Sequence, residues 1–549
     1  MKRRNNLIIL FLIILIGFCL RFYRLGDFPP SLNWDEVSHG YNAFSILKTG
    51  ADEWGTRLPL IFRAFGDYKL PAYIYLTILP ILAFGLNAFA IRFISALAGT
   101  LAIVFIYLLA RQLFEDKKYD YGLLAAFILA ICPWHFFFSR AALEANLSLT
   151  FLIAGAWLLI RATRNGHDYI LAALLFGLSL HTYNAARVFV PLLLIAFVLI
   201  YRRKIRLGTG LFVSLAILLF SFGLVVYQLK TGEAAARYSK LAILNPVTTF
   251  QIGQMRQTSQ LPTILSRLVY NRPLFFLTKF TGNYLSYFTP TFFNQTKNVQ
   301  TQFAIPNQPL FTYPVLLLAI LGLLLQLSQI RKEASTKFIL AWLLLAPVAA
   351  ATTIDPPQAI RPNVLMVPVV LLAVYATIWL VKRFGTLILY LTALLIGLTF
   401  ALYVNQYFSS YPIHFSQSWQ YGYDQAVKYV LDHKGEYDRV FFTKKYGEPH
   451  IFYAFFTQLD PKVLQSNSFS TRFKQSDWFW TDRIENVYFV NDWQIPNTDV
   501  FNLKLESGGV IDTKKSLLVT SPDHVPSNTT RIKTVNFLDG QPAFVITRF

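Results

Sequence analysis

The chain has 549 residues, 54% of them hydrophobic and only 14% charged, with a mean hydropathy of +0.43. A soluble domain carries roughly a quarter charged residues, so this composition excludes an ordinary soluble protein and indicates a polytopic membrane protein. The formal net charge of +21, from 50 Lys and Arg against 29 Asp and Glu, sits largely in short clusters between apolar runs. That placement fits membrane topology and argues against a nucleic-acid partner.

The first apolar run, 7–25, follows Lys2-Arg3-Arg4. It lacks a small-residue cleavage site, and Phe18 before Cys19 is wrong for lipoprotein processing, so it reads as an uncleaved first transmembrane helix. Cys19 and Cys132 are the only cysteines, both within apolar runs, which leaves no disulfide framework. Further candidate segments follow at 71–86, 88–113, 121–138, 146–161, 168–184, 187–201, 207–227, 310–329, 337–353, 362–381 and 385–407. Basic residues mark the cytoplasmic connections. They stand at Arg111 with Lys117-Lys118, at Arg161 with Arg164, at "RRKIR" (202–206), at Arg331-Lys332 with Lys337, and at Lys382-Arg383. Every second connection is basic only if 71–86, which carries Pro71 and Pro80, is re-entrant or interfacial. This gives eleven spans, with the N-terminus cytoplasmic and the C-terminus extracytoplasmic.

With that parity, the first external loop (26–87), "SRAALEAN" (139–146), the long loop 228–309, "IDPPQAIR" (354–361) and everything after about 408 share the outer face. The first loop holds the adjacent acids Asp35 and Glu36, then Asp52 and Glu53, then Asp67 and Lys69. A solvated loop pair is the simplest account of Asp35-Glu36, but the surrounding charges favour a site. Glu144 lies between an incoming and an outgoing segment, where Arg140, four positions earlier, could pair with it on one helix. Arg361 opens a late span; it could snorkel to headgroups, or its planar guanidinium could bind a phosphate. His39 lies four residues after Asp35, a spacing that does not diagnose a metal site; no cofactor is expected, with a divalent metal as the open alternative. Carboxylates with Lys69, Arg140 and Arg361 at one membrane surface suit a phosphorylated lipid and an activated hydroxyl. A transporter would instead hold its ionisable groups near the bilayer midplane.

After residue 409 the apolar runs shorten. "YGYDQAVKYVLDH" and "EPHIFYAFFTQ" have helical spacing, whereas "YDRVFFTKK", "IENVYFVND", "KSLLVT" and "PAFVITRF" read as strands. The expected organisation is a transmembrane domain, 1–409, followed by an extracytoplasmic α/β domain, 410–549.

The stretches "WDEVSHGYNAFSILKTG", "DYKLPAYIYLTILPILAFGLNAFAIRFISALAGTLAIVFIYLLARQLF" and "PWHFFFSRAALEANLSLTFLIAG" resemble the GT-C membrane glycosyltransferases. More narrowly they resemble the type that includes protein O-mannosyltransferases and lipid A aminoarabinose transferases. The resemblance covers residues 20–165 and returns at "IDPPQAIRPNVLMVPV". It implies a GT-C fold and inverting sugar transfer from a polyprenyl-phosphate-linked donor to a protein, lipid or glycan at the outer membrane surface. It maps the general base onto Asp35, with Glu36 its motif neighbour, and a second acid onto Glu144. It maps the donor phosphate onto Lys69 and Arg361, with Arg140 beside them. His39, Tyr41, Asp67, Tyr68 and the Arg92 of the Phe-Ala-x-Arg segment are the further expected substrate contacts.

Overall fold

The computed structural model describes residues 2–116, 118–230, 240–331, 333–355, 357–495 and 502–549. Lys117, Lys332, Pro356 and residues 231–239 of the long loop lie outside the described residues. The chain separates into two compact units. The first comprises residues 1–23, 95–139 and 143–405, and the second 24–94, 140–142 and 406–549. One division between the two units falls between residues 405 and 406. The first external loop, however, which the sequence places with the transmembrane domain, belongs with the C-terminal region.

Among the described residues, seven helices are long and apolar enough to cross a membrane. An eighth span is formed if Tyr121–Ala130 and Pro133–Ser139, bent by 61° at their junction, count as one. The chain is a multi-pass membrane protein, but length alone does not yield the eleven spans expected. The runs 168–184 and 310–329 form the helices Asp168–Leu180 and Tyr313–Leu327, of 13 and 15 residues. At a rise of 1.5 Å per residue these are about 20 to 23 Å long, short of a hydrocarbon core of roughly 30 Å. The 14-residue helix Pro71–Phe84 is short for the same reason and carries Pro80 in its interior.

Within the first unit, small residues permit close helix crossings. A Cβ on Gly322 would lie 2.0 Å from the carbonyl oxygen of Leu372, so Tyr313–Leu327 can approach Met366–Phe384 only with glycine there. The break before Pro133 has a specific remedy. Buried Arg21, at the end of the helix Lys2–Phe22, donates to the carbonyl oxygens of Ala130 and Leu129 at 3.1 and 3.4 Å and meets His135 Nδ1 at 2.7 Å. It therefore caps backbone groups that the interrupted helix leaves exposed.

The second unit is built on a seven-stranded sheet. Its strands are β3 (Arg439–Thr443), β4 (Ser470–Gln475), β5 (Trp478–Ile484), β6 (Val487–Val490), β9 (Ser516–Thr520), β10 (Thr530–Asn536) and β11 (Pro542–Arg548). Two short hairpins precede and accompany it: β1 (Phe62–Ala64) with β2 (Asp67–Lys69), and β7 (Asn502–Lys504) with β8 (Val510–Asp512). The sheet order is β10-β11-β9-β3-β6-β5-β4, with β3 parallel to both β6 and β9 and the outer pairs antiparallel. The central strands are almost continuously apolar because both faces are covered. Phe441, Val490 and Leu518 form part of one core. The helices Tyr423–His433 and Pro449–Phe456 realise the two helical readings of the sequence.

Candidate active site

Asp35 and Glu36 lie in the first turn of the helix Trp34–Thr49, where acids complement the partial positive charge of the helix end. Asn33 caps this helix. Its side chain accepts from the amides of Asp35 and Glu36 at 2.9 and 3.0 Å, while its own amide donates to Glu36 Oε2 at 3.2 Å. The pair is then divided by environment. Glu36 is buried and held by Arg92 through Nε at 2.9 Å and Nη2 at 3.0 Å, with a further bond at 2.8 Å from the Ala142 amide. Arg92 also donates to the carbonyl oxygens of Leu25, Pro29 and Ser31. Glu36 and Arg92 therefore form a closed internal ion pair that fixes the helix start. Asp35 keeps 46% of its side chain exposed and pairs with Lys69, whose side chain is 7% exposed. Lys69 ends β2, so the β1–β2 hairpin carries the ammonium to the carboxylate.

His39, one turn after Asp35, is buried against Tyr73, with ring centroids 5.2 Å apart. Among the described residues its Nδ1 has no hydrogen-bond partner. Burial, followed by the nearby Lys69 charge, pushes its pKa down to about 3, so the imidazole beside that ammonium is neutral at neutral pH. Tyr41 is buried and donates its hydroxyl to the Leu459 carbonyl at 3.0 Å, a packing contact. Asp67 and Tyr68 are half-buried in β2; Tyr68 meets Phe479 edge-on at 6.5 Å. Arg140 is fully buried. It reaches Tyr407 Oη at 3.3 Å and the carbonyls of Arg24 and Phe28, and its guanidinium lies 4.9 Å from the Phe408 ring centroid.

Residues 140–142 form a turn outside the helix that Glu144 opens, so Arg140 and Glu144 do not share a helical face. Glu144 and Arg361 belong to the first unit. There Asn363 Nδ2 donates to the Ala145 carbonyl at 2.6 Å, tying the neighbourhoods of these two residues together. Arg361 Nη1 donates to Thr353 Oγ1 at 2.7 Å.

The acids Asp52 and Glu53 have internal partners. Asp52 accepts from the amides of Trp54 and Thr56 at 2.9 and 2.8 Å, and burial raises its pKa to about 6. Glu53 is bound by Arg472 at 2.7 Å and by Asn42 at 3.1 Å, and Arg472 stacks 3.8 Å from the Trp54 centroid. Several supports of Asp35 and its loop come from the distant C-terminal sequence. Gln420 accepts from the Trp34 amide at 2.7 Å and donates to the Tyr446 carbonyl at 2.5 Å. Trp478 donates to buried Glu448 at 2.6 Å, and a Cβ on Gly66 would collide with its ring. No local pattern announces these residues, since 386 positions separate Trp34 from Gln420.

The fold has counterparts among solved structures. It is similar to the crystal structure of the Archaeoglobus fulgidus oligosaccharyltransferase in complex with zinc and sulfate, at a TM-score of 0.50 and 15% identity, covering 77% of this chain and 55% of that one. The structure of ArnT from Cupriavidus metallidurans in the apo state is also similar, at 14% identity and a TM-score of 0.43, covering 98% of this chain and 97% of that one. In sequence, residues 69–227 match the family model described as dolichyl-phosphate-mannose-protein mannosyltransferase. A stretch of 140 residues is 29% identical to dolichyl-phosphooligosaccharide-protein glycotransferase 2 of Archaeoglobus fulgidus, covering 24% of this chain and 23% of that relative. The matched region thus spans about a quarter of the relative's length. Zinc accompanies one of these structures; here, among the described residues, no three His, Cys, Asp or Glu side chains converge to share an ion.

Proposed function

We propose that the protein is a membrane glycosyltransferase that moves a sugar from a polyprenyl-phosphate-linked donor to an acceptor hydroxyl, with inversion. The observation that carries this reading is the division of the acidic pair: Glu36 is closed by Arg92, while Asp35 is half open and paired with Lys69. In the proposed step the acceptor oxygen attacks the anomeric carbon from the face opposite the phosphate. A carbon–oxygen bond to the acceptor forms as the bond to the phosphate oxygen breaks. Asp35 takes the acceptor proton, and the polyprenyl phosphate departs with the bonding pair, its charge met by Lys69. Glu36, Arg92 and Arg140 position this loop. Glu144 and Arg361 keep the roles the resemblance implies, a second acid and a phosphate-binding guanidinium.

The matched family model and the archaeal relative are both described with dolichyl-phosphate-linked donors, which supports a lipid-phosphate donor here. Acceptors of protein, lipid and glycan type are all compatible with a half-open carboxylate. We place the N-terminus in the cytoplasm and the Asp35 loop outside, on the distribution of basic clusters. Purified protein in native lipid, incubated with a series of polyprenyl-phosphate sugars and an envelope extract as acceptor source, should release free polyprenyl phosphate. Translocation of those lipids without release would favour a transporter instead.

A further inference from the structure

From Lys240 to Lys332 the sequence contains no Asp or Glu, while Lys240, Arg256, Arg267, Arg272, Lys279 and Lys297 give residues 240–309 six cations. This stretch lies between two apolar helices, Thr209–Lys230 and Tyr313–Leu327. Three helices occupy it: Pro246–Thr258, Thr263–Val269 and Arg272–Ser286, of 13, 7 and 15 residues. At about 1.5 Å per residue they measure roughly 20, 10 and 22 Å, too short to cross a bilayer.

Their apolar side chains are not used to build a core. Ile252 is the one buried residue of the first helix, Ser266 of the second, and the third has none. Val247, Phe250, Ile264, Leu268 and Leu277 are between 58% and 75% exposed. Along the third helix and just past its end, Phe276, Phe280, Tyr284 and Phe288 form a continuous row, with successive ring centroids 5.8, 6.1 and 5.5 Å apart. The end of that helix is nonetheless anchored within its unit. Asn283 Nδ2 donates to the Ala351 and Thr353 carbonyls at 3.2 and 2.8 Å, and Tyr284 donates to the Leu344 carbonyl at 2.7 Å. The apolar surface is therefore held in a fixed position, and water is a poor solvent for it.

We propose that residues 246–286 are an interfacial element that lies in the headgroup layer of an anionic bilayer. Short helices with apolar and aromatic side chains, cations and no acids have the composition of an in-plane amphipathic anchor. The occupant is the bilayer rather than an acceptor protein for two reasons. The segment leaves and re-enters apolar helices, so its ends start at a membrane, and a row of aromatic rings belongs at the headgroup level. The missing acids leave nothing to repel lipid phosphates. Arg256, Arg267, Arg272 and Lys279 would meet those phosphates while Phe250, Ile264 and Leu277 enter the acyl boundary.

The test uses the full chain with Cys19 and Cys132 replaced by Ala and Leu277→Cys carrying an environment-sensitive fluorophore. It is reconstituted into nanodiscs of phosphatidylcholine alone or of an equimolar mixture with phosphatidylglycerol. Quenching by headgroup spin-labelled lipid should be about twofold stronger in the anionic mixture. That difference should vanish when Arg256, Arg267, Arg272 and Lys279 are all changed to Gln, and persist when the three arginines are changed to Lys. A fluorophore quenched by aqueous iodide and untouched by spin-labelled lipid would overturn the proposal, as would equal lipid quenching in the two bilayers. The unsubstituted loop alone decides between these results should the Gln variant fail to fold.

Discussion

Asp35 and Glu36 are chemically similar neighbours, yet their surroundings differ: Glu36 is closed by Arg92 while Asp35 keeps 46% of its side chain exposed beside Lys69. Taking one partner from a buried ion pair strands the other, at a cost of about 3–5 kcal/mol. Arg92→Met should accordingly lower the thermal transition strongly and abolish activity by loss of structure. Lys69→Met removes the partner of a half-open acid, so the protein should fold, with turnover reduced about a hundredfold or more and donor KM raised. Melting curves beside steady-state kinetics for the two variants separate these outcomes; a reversed pattern would exchange the roles of the two cations. Much of this was legible in sequence at the level of membership. Asp35, Glu36 and Lys69 stand out because charged groups are rare in a chain this apolar, and Arg92 enters only through the Phe-Ala-x-Arg segment of the resemblance. Their division of labour was not legible, since only the folded loop shows that Arg92 reaches Glu36 across 56 positions while Lys69 reaches Asp35 across 34.

The Trp34–Thr49 helix depends on neighbours that a local pattern cannot supply. Its start is read from Asn33 and Glu36, and its end from Gly50 at φ +70°, so its bounds follow from elementary capping. Its support by Gln420 at its start and by Gln465, which donates to Ser45 and Thr49, is non-local. The apolar strands β3, β6, β9 and β11 are legible in the sequence. The strands β4, β5 and β10 are not, because their mixed charged and aromatic residues lack a clean two-residue alternation. Glu448, beside β5, makes a testable contribution. Burial raises its pKa to about 8 despite the Trp478 N–H and the charge of Lys444. A carboxyl that is harder to ionise folded than unfolded stabilises the fold fully below its ordinary pKa of 4.5. That stabilisation is lost as pH rises through about 8. Glu448→Gln should flatten the decline in stability between those limits, a slope on the order of 1.4 kcal/mol for each pH unit crossed. Thermal melts across that range check it: an unchanged pH slope in the variant would remove Glu448 as the cause.

For the whole molecule, apolar content and basic clusters made a multi-pass membrane protein legible at once. The number of spans was less so, because a run of apolar residues does not reveal where its helix bends or stops. The 121–138 run breaks at Pro133, with Arg21 capping the exposed carbonyls, and the 168–184 run stops after 13 helical residues. The proposed sidedness is open to direct test. Arg203→Cys and Asp539→Cys, each in a chain otherwise free of cysteine, should react with an impermeant maleimide from opposite sides of the membrane. The first should label only after the cell is opened, and labelling of both from outside would refute the assigned parity. The most direct test of the central claim is the rate of polyprenyl-phosphate release by Asp35→Asn compared with the unsubstituted protein, in the same lipid and with matching melting curves. Asp35 as the general base predicts a fall of about a hundredfold or more with the fold retained. A variant that is equally folded and turns over within about twofold of the parent would take Asp35 out of the reaction.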